Sequence, residues 1–273
     1  MKIHFYKYQA TGNDFVLIDN RSGLYSFSIE QIKKICDRKF GVGADGIMLI
    51  EKHPDLDFNL VYHNSDGSQS LCGNGSRAAM HFASFLGIVN GRASFNAYDG
   101  KHDAELLSPG IVRLKMNDTK DVSSLGNDFK INTGSPHLIR FVERVNDFPV
   151  FEEGKKIRYS DLYKEKGINV NFVELLPNNT IFVRTYERGV ENETLSCGTG
   201  VTAAALAASL KGYKSPVSIK TLGGELSVEF KSARLGQRQF ATRLSDGQGQ
   251  AGTFQDIFLV GPAKMVFQGD LEL

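Results

Sequence analysis

The chain is organised around the stretch SLCGNGSRAA at residues 70–79, because it recurs as LSCGTGVTAA at residues 195–204. Both copies follow the pattern C-G-x-G-x-x-A-A. In each copy two glycines lie between a cysteine and an alanine-rich run, so we expect Cys72 and Cys197 to lie on loops that open helices. The two cysteines are 197 − 72 = 125 residues apart. The repeat predicts two similar halves that face one ligand, with a sulfur on each side.

The start of a helix is a position at which a thiol becomes acidic. Unpaired backbone N–H groups and the positive end of the helix dipole stabilise a thiolate, and they lower its pKa below the reference of about 8.5. The same N–H groups can hold a carboxylate. Inverting an α-carbon without a cofactor requires a base on one face, an acid on the other, and donors fixed on the developing charge. Cys72 and Cys197 meet these demands if their helix ends point together, and their titrations should then be coupled.

The amino-acid composition limits the classes of partner that we expect for this protein. The 273 residues include 32 basic and 31 acidic side chains, and a formal charge of +1 gives no reason to expect nucleic acid or an anionic membrane. No window approaches about 18 consecutive apolar residues, and the N-terminal segment alternates like a strand instead of a signal peptide. Three cysteines do not make a disulfide framework and fit a reducing compartment. We expect a soluble, cytoplasmic protein with free thiols and a small-molecule substrate.

The segments that follow the two cysteines predict helices that are small and apolar on most sides. Such helices require burial all round, and a sheet wrapped around each would provide it. Outside the repeats, Ser28 and Gln31 predict a capping box ahead of a helix whose apolar stripe includes Cys36, which we expect in the core. Ser160 is expected to cap a short helix that runs through Lys166.

Five motifs, taken together and in order, resemble the diaminopimelate epimerase family. They are G-N-D-F at Gly12, N-x-D-G at Asn64, C-G-N-G at Cys72, S-P-H at Ser135, and E-R-G at Glu187 followed by C-G-T-G at Cys197. The resemblance spans most of the chain.

The resemblance implies an α/β fold of the α+β type with two pseudo-symmetric domains, each a curled, mostly antiparallel sheet around a central helix. The site would lie in the cleft between them. In that family the last strand returns to the first domain, and the polar run 117–128 suits the first crossing between domains. The predicted domains are therefore 1–117 plus 261–273, with Cys72, and 118–260, with Cys197.

The activity that the resemblance implies is interconversion of LL- and meso-diaminopimelate in the bacterial route to lysine and peptidoglycan. It needs neither pyridoxal phosphate nor metal, so no cofactor is expected. The six histidines and three cysteines show no paired metal-ligand spacing, and no lysine is identified as a Schiff-base residue. The sequence leaves a homodimer open.

The site residues that the resemblance implies fall into two groups. Cys72 and Cys197 are the acid and base, and His137 and Glu187 tune the thiols. The substrate-binding positions are the backbone N–H groups of Gly73, Asn74, Gly198 and Thr199, and the side chains of Asn13, Asn64, Asn169, Glu187 and Arg188. Arg188 can clamp a distal carboxylate bidentately, and Glu187 can accept an ammonium group.

The chain departs from the family pattern at four places. Ser135 stands where asparagine is common, and Gly46 stands where some members carry glutamine. The segment 187–197 is one residue longer than usual. Residues 232–253, with four glycines and four glutamines, predict an exposed insertion. These departures concern substrate contacts and leave the two-thiol chemistry intact.

Three other interpretations stay open at this point. A related cofactor-independent enzyme, such as a proline racemase or a phenazine-type isomerase, would use the same architecture. A thiol sensor would join Cys72 and Cys197 in a regulatory disulfide. An anion-binding module would use the glycine-rich helix starts for phosphate and would have unreactive cysteines.

Overall fold

The computed structural model describes residues 2–120, 122–233 and 252–273. They form two compact units, Met1–Lys115 together with Gly261–Leu273, and Met116–Val260. No helix in the described ranges is long and apolar enough to cross a membrane. Of the predicted insertion at 232–253, residues 234–251 lie outside the described part of the chain.

The structure consists of strands with a few helices between them. The strands are β1 (Lys2–Ala10), β2 (Asn13–Asp19), β3 (Gly46–Glu51), β4 (Phe58–Asn64), β5 (Arg92–Ala97), β6 (Gly100–Ser108), β7 (Ile111–Lys115), β8 (Val122–Leu125), β9 (Asp128–Asn132), β10 (Pro136–Phe141), β11 (Asn169–Leu176), β12 (Thr180–Glu187), β13 (Asn192–Thr194), β14 (Val217–Thr221), β15 (Gly224–Ala233), β16 (Thr253–Pro262) and β17 (Lys264–Glu272). The helices are α1 (Ile29–Cys36), α2 (Gly73–Phe85), α3 (Val150–Arg158) and α4 (Gly198–Leu210), with one short 3₁₀ turn at Val145–Asp147.

In the first unit the strand order is β17-β1-β2-β3-β4-β5-β6-β7. All neighbours are antiparallel except β2–β3 and β4–β5. A parallel pair needs a long crossover connection, and α1 and α2 lie in these two connections. The helix α2 packs against β17 and β1 near one edge and against β6 and β7 at the other, so the sheet curls around it.

In the second unit the order is β8-β9-β10-β11-β12-β14-β15-β16, with the short β13 also paired to β12. The parallel pairs are β10–β11 and β12–β14, and their crossovers contain α3 and α4. The helix α4 packs against strands from β9 to β15. The sequence of parallel and antiparallel pairs is the same as in the first unit, which confirms the predicted fold of two pseudo-symmetric halves.

Burial explains why the two central helices carry so few polar residues. Of the 13 residues of α4, 11 are buried, and of the 13 residues of α2, 10 are buried. Small side chains let the surrounding strands approach a helix from every side. The prediction that both helices are surrounded by a sheet is confirmed.

The local predictions at α1 are also confirmed. The Ser28 hydroxyl accepts the N–H of Gln31, and the Gln31 side chain accepts the N–H of Ser28. Cys36 is buried in the core between α1 and the sheet. Burial raises the pKa of Cys36 to about 11, so this thiol is protonated at neutral pH.

The prediction of a helix from Ser160 to Lys166 is wrong. The structure forms α3 before this point and a turn over 160–166. The Ser160 hydroxyl donates backwards to the Ile157 carbonyl at 2.7 Å and finishes α3 instead of opening a new helix.

Candidate active site

In the first unit, Cys72 is the N-cap residue of α2, as the sequence predicts. Its Sγ accepts the N–H of Gly75 at 3.3 Å. A Cβ on Gly75 would come within 1.9 Å of the end of the Met48 side chain, which would have to move to make room. The half-buried thiol of Cys72 is therefore fixed at the positive end of the helix dipole.

Asn13 lies beside this thiol. Its Oδ1 accepts from Cys72 Sγ at 3.4 Å and from the Asn74 side chain at 3.4 Å, while its Nδ2 donates to Asp45 at 2.6 Å. Asp45 orients the Asn13 amide, and the sequence analysis had not identified it. Asn13, Cys72, Gly73 and Asn74 are thus brought together in one half-site.

Asn64 ends β4 in the same unit. Its Oδ1 accepts the Tyr62 hydroxyl at 2.9 Å, and its Nδ2 donates to Ser68 and Ser70. These contacts hold the turn that leads to Cys72. Tyr62 also explains the departure at Gly46, since a Cβ there would lie 2.4 Å from the Tyr62 ring.

In the second unit, Cys197 is the N-cap residue of α4, and it is buried. Its Sγ lies 3.5 Å from the Thr199 hydroxyl, which in turn lies 2.9 Å from His137 Nε2. Gly198 and Thr199 form the first turn, whose backbone N–H groups have no acceptor within the helix. His137, Cys197, Gly198 and Thr199 therefore form the second half-site.

His137 is fully buried and is held as a neutral imidazole. Burial lowers its pKa to about 3, and the positive charge of Arg188 adds to this effect. Asn171 Nδ2 lies 3.1 Å from His137 Nδ1, and the Asn171 amide is oriented by the Leu138 carbonyl at 3.2 Å and the Thr185 hydroxyl at 2.9 Å. Nδ1 therefore accepts, and the ring proton lies on Nε2, where it donates to the Thr199 hydroxyl.

Sequence reasoning missed Asn171. The signal was present, because an asparagine inside the apolar strand β11 requires buried hydrogen-bond partners. Gly200 makes the close packing possible, since a Cβ there would lie 2.4 Å from Asn171 Oδ1 and 3.3 Å from His137 Cε1.

Asn169 and Arg188 are neighbours in the second unit. Asn169 Oδ1 accepts the backbone N–H of Arg188 at 2.9 Å, and Asn169 Nδ2 donates to the Ser135 hydroxyl at 2.9 Å. The exposed Arg188 guanidinium donates to the Lys166 carbonyl at 3.0 Å and lies 3.4 Å from the Ser135 hydroxyl. Ser135 thus makes hydroxyl contacts where an amide is common in the family. Among the described residues no carboxylate pairs with Arg188, so its charge is available to a ligand.

Glu187 ends β12 and is half-buried. Its Oε2 accepts the Thr194 hydroxyl at 2.9 Å. This bond crosses from β12 to β13, the short strand of the segment 187–197, and it fixes the carboxylate. Glu187 and Arg188 therefore place opposite charges side by side in the second unit.

The described ranges contain no group of three His, Cys, Asp or Glu side chains arranged to hold a metal ion. The chemically distinctive groups are the two cysteines at helix starts. Each can act as a general acid as a thiol or as a general base as a thiolate.

Comparison with known proteins agrees with this chemistry. A family model described as diaminopimelate epimerase matches residues 5–120 and 129–239. A protein of that name from Flavobacterium psychrophilum is 44% identical over 267 residues, which cover 96% of this chain and 98% of the relative. Another, from Chlorobaculum tepidum, is 38% identical and covers 97% of this chain and 99% of the relative.

Solved structures show the same fold at low sequence identity. A phenazine biosynthesis protein of the PhzF family from Bacillus anthracis aligns with a TM-score of 0.70 at 11% identity over 100% of both chains. A probable proline racemase from Agrobacterium radiobacter aligns with a TM-score of 0.69 at 14% identity over 99% of this chain and 93% of that chain. These likenesses concern the fold alone, whereas the sequence matches establish that this chain belongs to the diaminopimelate epimerase family.

Proposed function

We propose that this chain is a cofactor-independent isomerase that interconverts LL- and meso-diaminopimelate. The observation that carries the proposal is the pair of cysteines, each fixed at the start of a central helix in a chain of this family. The substrate is a small molecule with an ammonium and a carboxylate group at each end. The reaction supplies precursors for lysine and peptidoglycan.

The mechanism uses two thiols in opposite protonation states. One thiolate removes the proton from Cα and becomes a thiol, and the other thiol gives a proton to the opposite face of the carbanion and becomes a thiolate. Cys72 and Cys197 exchange these roles when the reaction reverses. A carbanion beside a carboxylate needs donors on its developing charge, which the first-turn N–H groups of Gly73-Asn74 and Gly198-Thr199 would supply.

The substrate-binding roles follow from charge. Arg188 would bind the distal carboxylate bidentately and Glu187 the distal ammonium. Asn13, Asn64 and Asn169 would add polar contacts, and the amides of Asn13 and Asn169 are already oriented by protein partners.

Two residues would tune the thiols. His137 is neutral and reaches Cys197 through the Thr199 hydroxyl, so it would orient this hydroxyl beside the sulfur without adding charge. Glu187, half-buried in the same unit, would act through its negative charge, which favours the protonated form of a nearby thiol.

The proposal extends to organisation and location. The functional domains would be 1–117 plus 261–273, with Cys72, and 118–260, with Cys197. We place the enzyme in the cytoplasm, where cysteines such as the three free ones here stay reduced. Assembly as a homodimer is part of the proposal and is tested by light scattering of the purified chain.

The test is proton exchange at Cα in heavy water. Incubation with LL-diaminopimelate should place deuterium at Cα of both isomers, and incubation with L-proline should not. Cys72→Ser and Cys197→Ser should each lower kcat at least about 100-fold, because each removes one general acid or base. Cys36→Ser, in the core between α1 and the sheet, is the matched control and should retain turnover. Label entering proline alone, or turnover that survives both active-site substitutions, would refute the proposal.

A further inference from the structure

Arg77 is a buried cation that the proposed mechanism leaves unused. It lies on α2, is 0% exposed, and forms no ion pair with any described carboxylate. Its Nη1 lies 3.4 Å from the Gly73 carbonyl and its Nη2 lies 3.3 Å from the Thr11 hydroxyl. Its Nε has no hydrogen-bond partner among the described residues. A buried charge with so few partners is costly unless an anion lies nearby.

Cys72 in its thiolate form would supply this anion, because it is the group whose charge interacts with Arg77. The contact with the Gly73 carbonyl brings the guanidinium back to the start of α2, next to Cys72. Burial lowers the pKa of Arg77 to about 10, and attraction to Cys72 opposes this effect. The side chain stays cationic at neutral pH. The helix dipole gives no compensation, since this end of α2 is the positive one.

We propose that Arg77 is a positioning residue whose buried charge makes Cys72 the resting thiolate of the pair. This rests on the proposed function in one respect, that Cys72 and Cys197 share the reaction. The resting enzyme then accepts a proton at Cys72 and donates one from Cys197.

The internal repeat supplies the comparison that supports this assignment. Thr202 stands at the position in α4 that Arg77 has in α2, five residues after the cysteine. Its hydroxyl donates to the Gly198 carbonyl at 2.9 Å, the counterpart of the Gly73 carbonyl that faces Arg77. The two side chains thus face equivalent carbonyls, but only the first unit carries a charge there. The two halves therefore differ in the positive charge near the cysteine, and a positive charge favours the thiolate over the thiol.

Other groups in the second half-site do not reverse this difference. His137 is neutral at the pH of turnover, so it adds no positive charge near Cys197. The charge of Arg188 reaches His137, but its guanidinium is exposed, so water and salt weaken its effect on Cys197 relative to that of a buried charge. Cys197 is more deeply buried than Cys72, and burial disfavours the thiolate.

Several groups around Cys72 act with or against Arg77. The Asn13 carbonyl favours the protonated thiol, and Asp45 behind it adds negative charge. Tyr62 of β4 and Tyr98 line a small pocket with Cys72. The Gly75 N–H favours the thiolate.

More distant groups are paired with one another. Lys7, Asp14 and Arg38 form an ion-pair cluster in which Arg38 also reaches Asp45. On α2 itself, His81 lies 3.3 Å from the Tyr8 hydroxyl, and burial lowers its pKa, which leaves it neutral. Arg77 is therefore a buried positive charge at the start of α2 that pairs with no described carboxylate.

A purely structural role for Arg77 makes a different prediction. Thr11 has φ of 50° in the turn between β1 and β2, a strained value for a β-branched residue, and Arg77 binds its hydroxyl. If Arg77 only braces this turn, then removing the Thr11 hydroxyl should mimic removing the guanidinium. Thr11→Gly removes the hydroxyl, suits the positive φ and leaves the charge in place.

The experiment measures the acidity of each cysteine separately in the full-length protein. Iodoacetamide labelling rates are followed from about pH 5 to about pH 10, and the peptides that contain Cys36, Cys72 and Cys197 are quantified by mass spectrometry. No substrate or turnover is required, so failure of this inference is distinct from failure of the proposed epimerase activity. Wild type is compared with Arg77→Met, Arg77→Lys and Thr11→Gly, each checked for folding by circular dichroism.

We expect Cys72 to have the lower apparent pKa in the wild type. Arg77→Met should raise this pKa by about one unit and slow Cys72 labelling near pH 7 about tenfold, with little change at Cys197. Arg77→Lys and Thr11→Gly should keep Cys72 acidic because the charge remains. Wild-type Cys72 that is no more acidic than Cys197, unchanged Cys72 in Arg77→Met, or an equal effect of Thr11→Gly would each overturn the proposal. If Arg77→Met does not fold, the wild-type order of the two thiols and the Arg77→Lys and Thr11→Gly results still decide it.

Discussion

Acidification should destabilise the second unit through His137. The imidazole is fully buried, its pKa is lowered from 6.5 to about 3, and the chief cause is burial, followed by the charge of Arg188. Between about pH 6.5 and about pH 4 the unfolded chain therefore binds a proton at this residue that the folded chain does not bind. The stability that the neutral His137 ring contributes is complete above pH 6.5. It is lost as the pH falls toward about 3, the pKa of His137 in the folded protein.

The size of the effect follows from the width of this pH window. Each pH unit within it costs about 1.4 kcal/mol, so acidification from about pH 7 to about pH 4 should lower the unfolding free energy by about 3 kcal/mol through His137 alone. His137→Gln lacks the titrating ring. The variant is less stable at neutral pH, but its loss on acidification should be smaller than that of the wild type by about 3 kcal/mol.

The assay is urea unfolding at both pH values, with hydrogen exchange in α4 as a local reporter of the second unit. His102, in the first unit, is the control with the opposite sign. Burial opposes its protonation, but the hydrogen bond at 2.7 Å and the charge of Asp99 prevail and raise its pKa. The stability that protonated His102 contributes is complete below pH 6.5 and is lost as the pH rises through the raised pKa of His102 in the folded protein. His102→Gln should therefore not reduce the loss of unfolding free energy on acidification. Equal losses in the wild type and in His137→Gln would refute the reasoning.

Three further substitutions test the packing and charge of the two half-sites. Gly46→Ala should lower the unfolding free energy by about 1–3 kcal/mol in thermal or urea unfolding, because the new Cβ would lie 2.4 Å from the Tyr62 ring. Gly200→Ala should cost a similar amount and also lower kcat, because its Cβ would lie 2.4 Å from the Asn171 oxygen and disturb the residue that orients the His137 imidazole. Arg188→Gln should raise KM for diaminopimelate about tenfold or more in steady-state kinetics with little change in thermal stability, because an exposed guanidinium adds little to folding.

Each of these substitutions has a matched control. Gly91→Ala meets no atom within 4 Å and reports only the cost of a side chain at positive φ, so its melting temperature should fall less than that of Gly46→Ala or Gly200→Ala. Arg140→Gln removes a guanidinium that is paired with Asp128 in the second unit, and it should leave KM unchanged. Equal melting temperatures among the three glycine variants, or equal KM values for the two arginine variants, would contradict the assignments.

Much of the fold could be predicted because its decisive signals are local. Cys-Gly-x-Gly followed by alanines places α2 and α4 within a few residues, since glycine frees the backbone before the helix and alanine continues it. The capping box at Ser28 and Gln31 involves neighbours in sequence and was equally visible. These elements need no information from distant parts of the chain.

The helix α3 could not be predicted for the opposite reason. It has no side-chain cap at Pro149, and Gly154 in its middle has low helix propensity. The glycine is favourable only because its α-carbon packs against Tyr186, where a Cβ would lie 2.4 Å from the tyrosine side chain. That contact joins residues 186 − 154 = 32 positions apart and leaves no local pattern.

The candidate site also contains residues that local motifs identify and residues whose roles depend on long-range contacts. Cys72 and Cys197 are defined by motifs, whereas the roles of Asn171 and Arg77 depend on partners from other elements. A polar residue in an apolar strand or helix signals that such a partner exists without identifying it. The sequence could therefore have marked Asn171 and Arg77 as residues to explain, but only the structure relates them to His137 and Cys72.

The outer strand β17 has a consequence for how the protein is made. It pairs with β1 over most of its length, yet it follows the whole of the second unit in the sequence. The corresponding strand of the second unit, β8, comes before the other strands of that unit. During translation the ribosome therefore delivers nearly all of the first unit early but its last strand late. The first unit must wait with the edge of β1 uncovered while the second one completes its sheet, so chaperones that protect nascent chains should bind residues 2–10 during that interval.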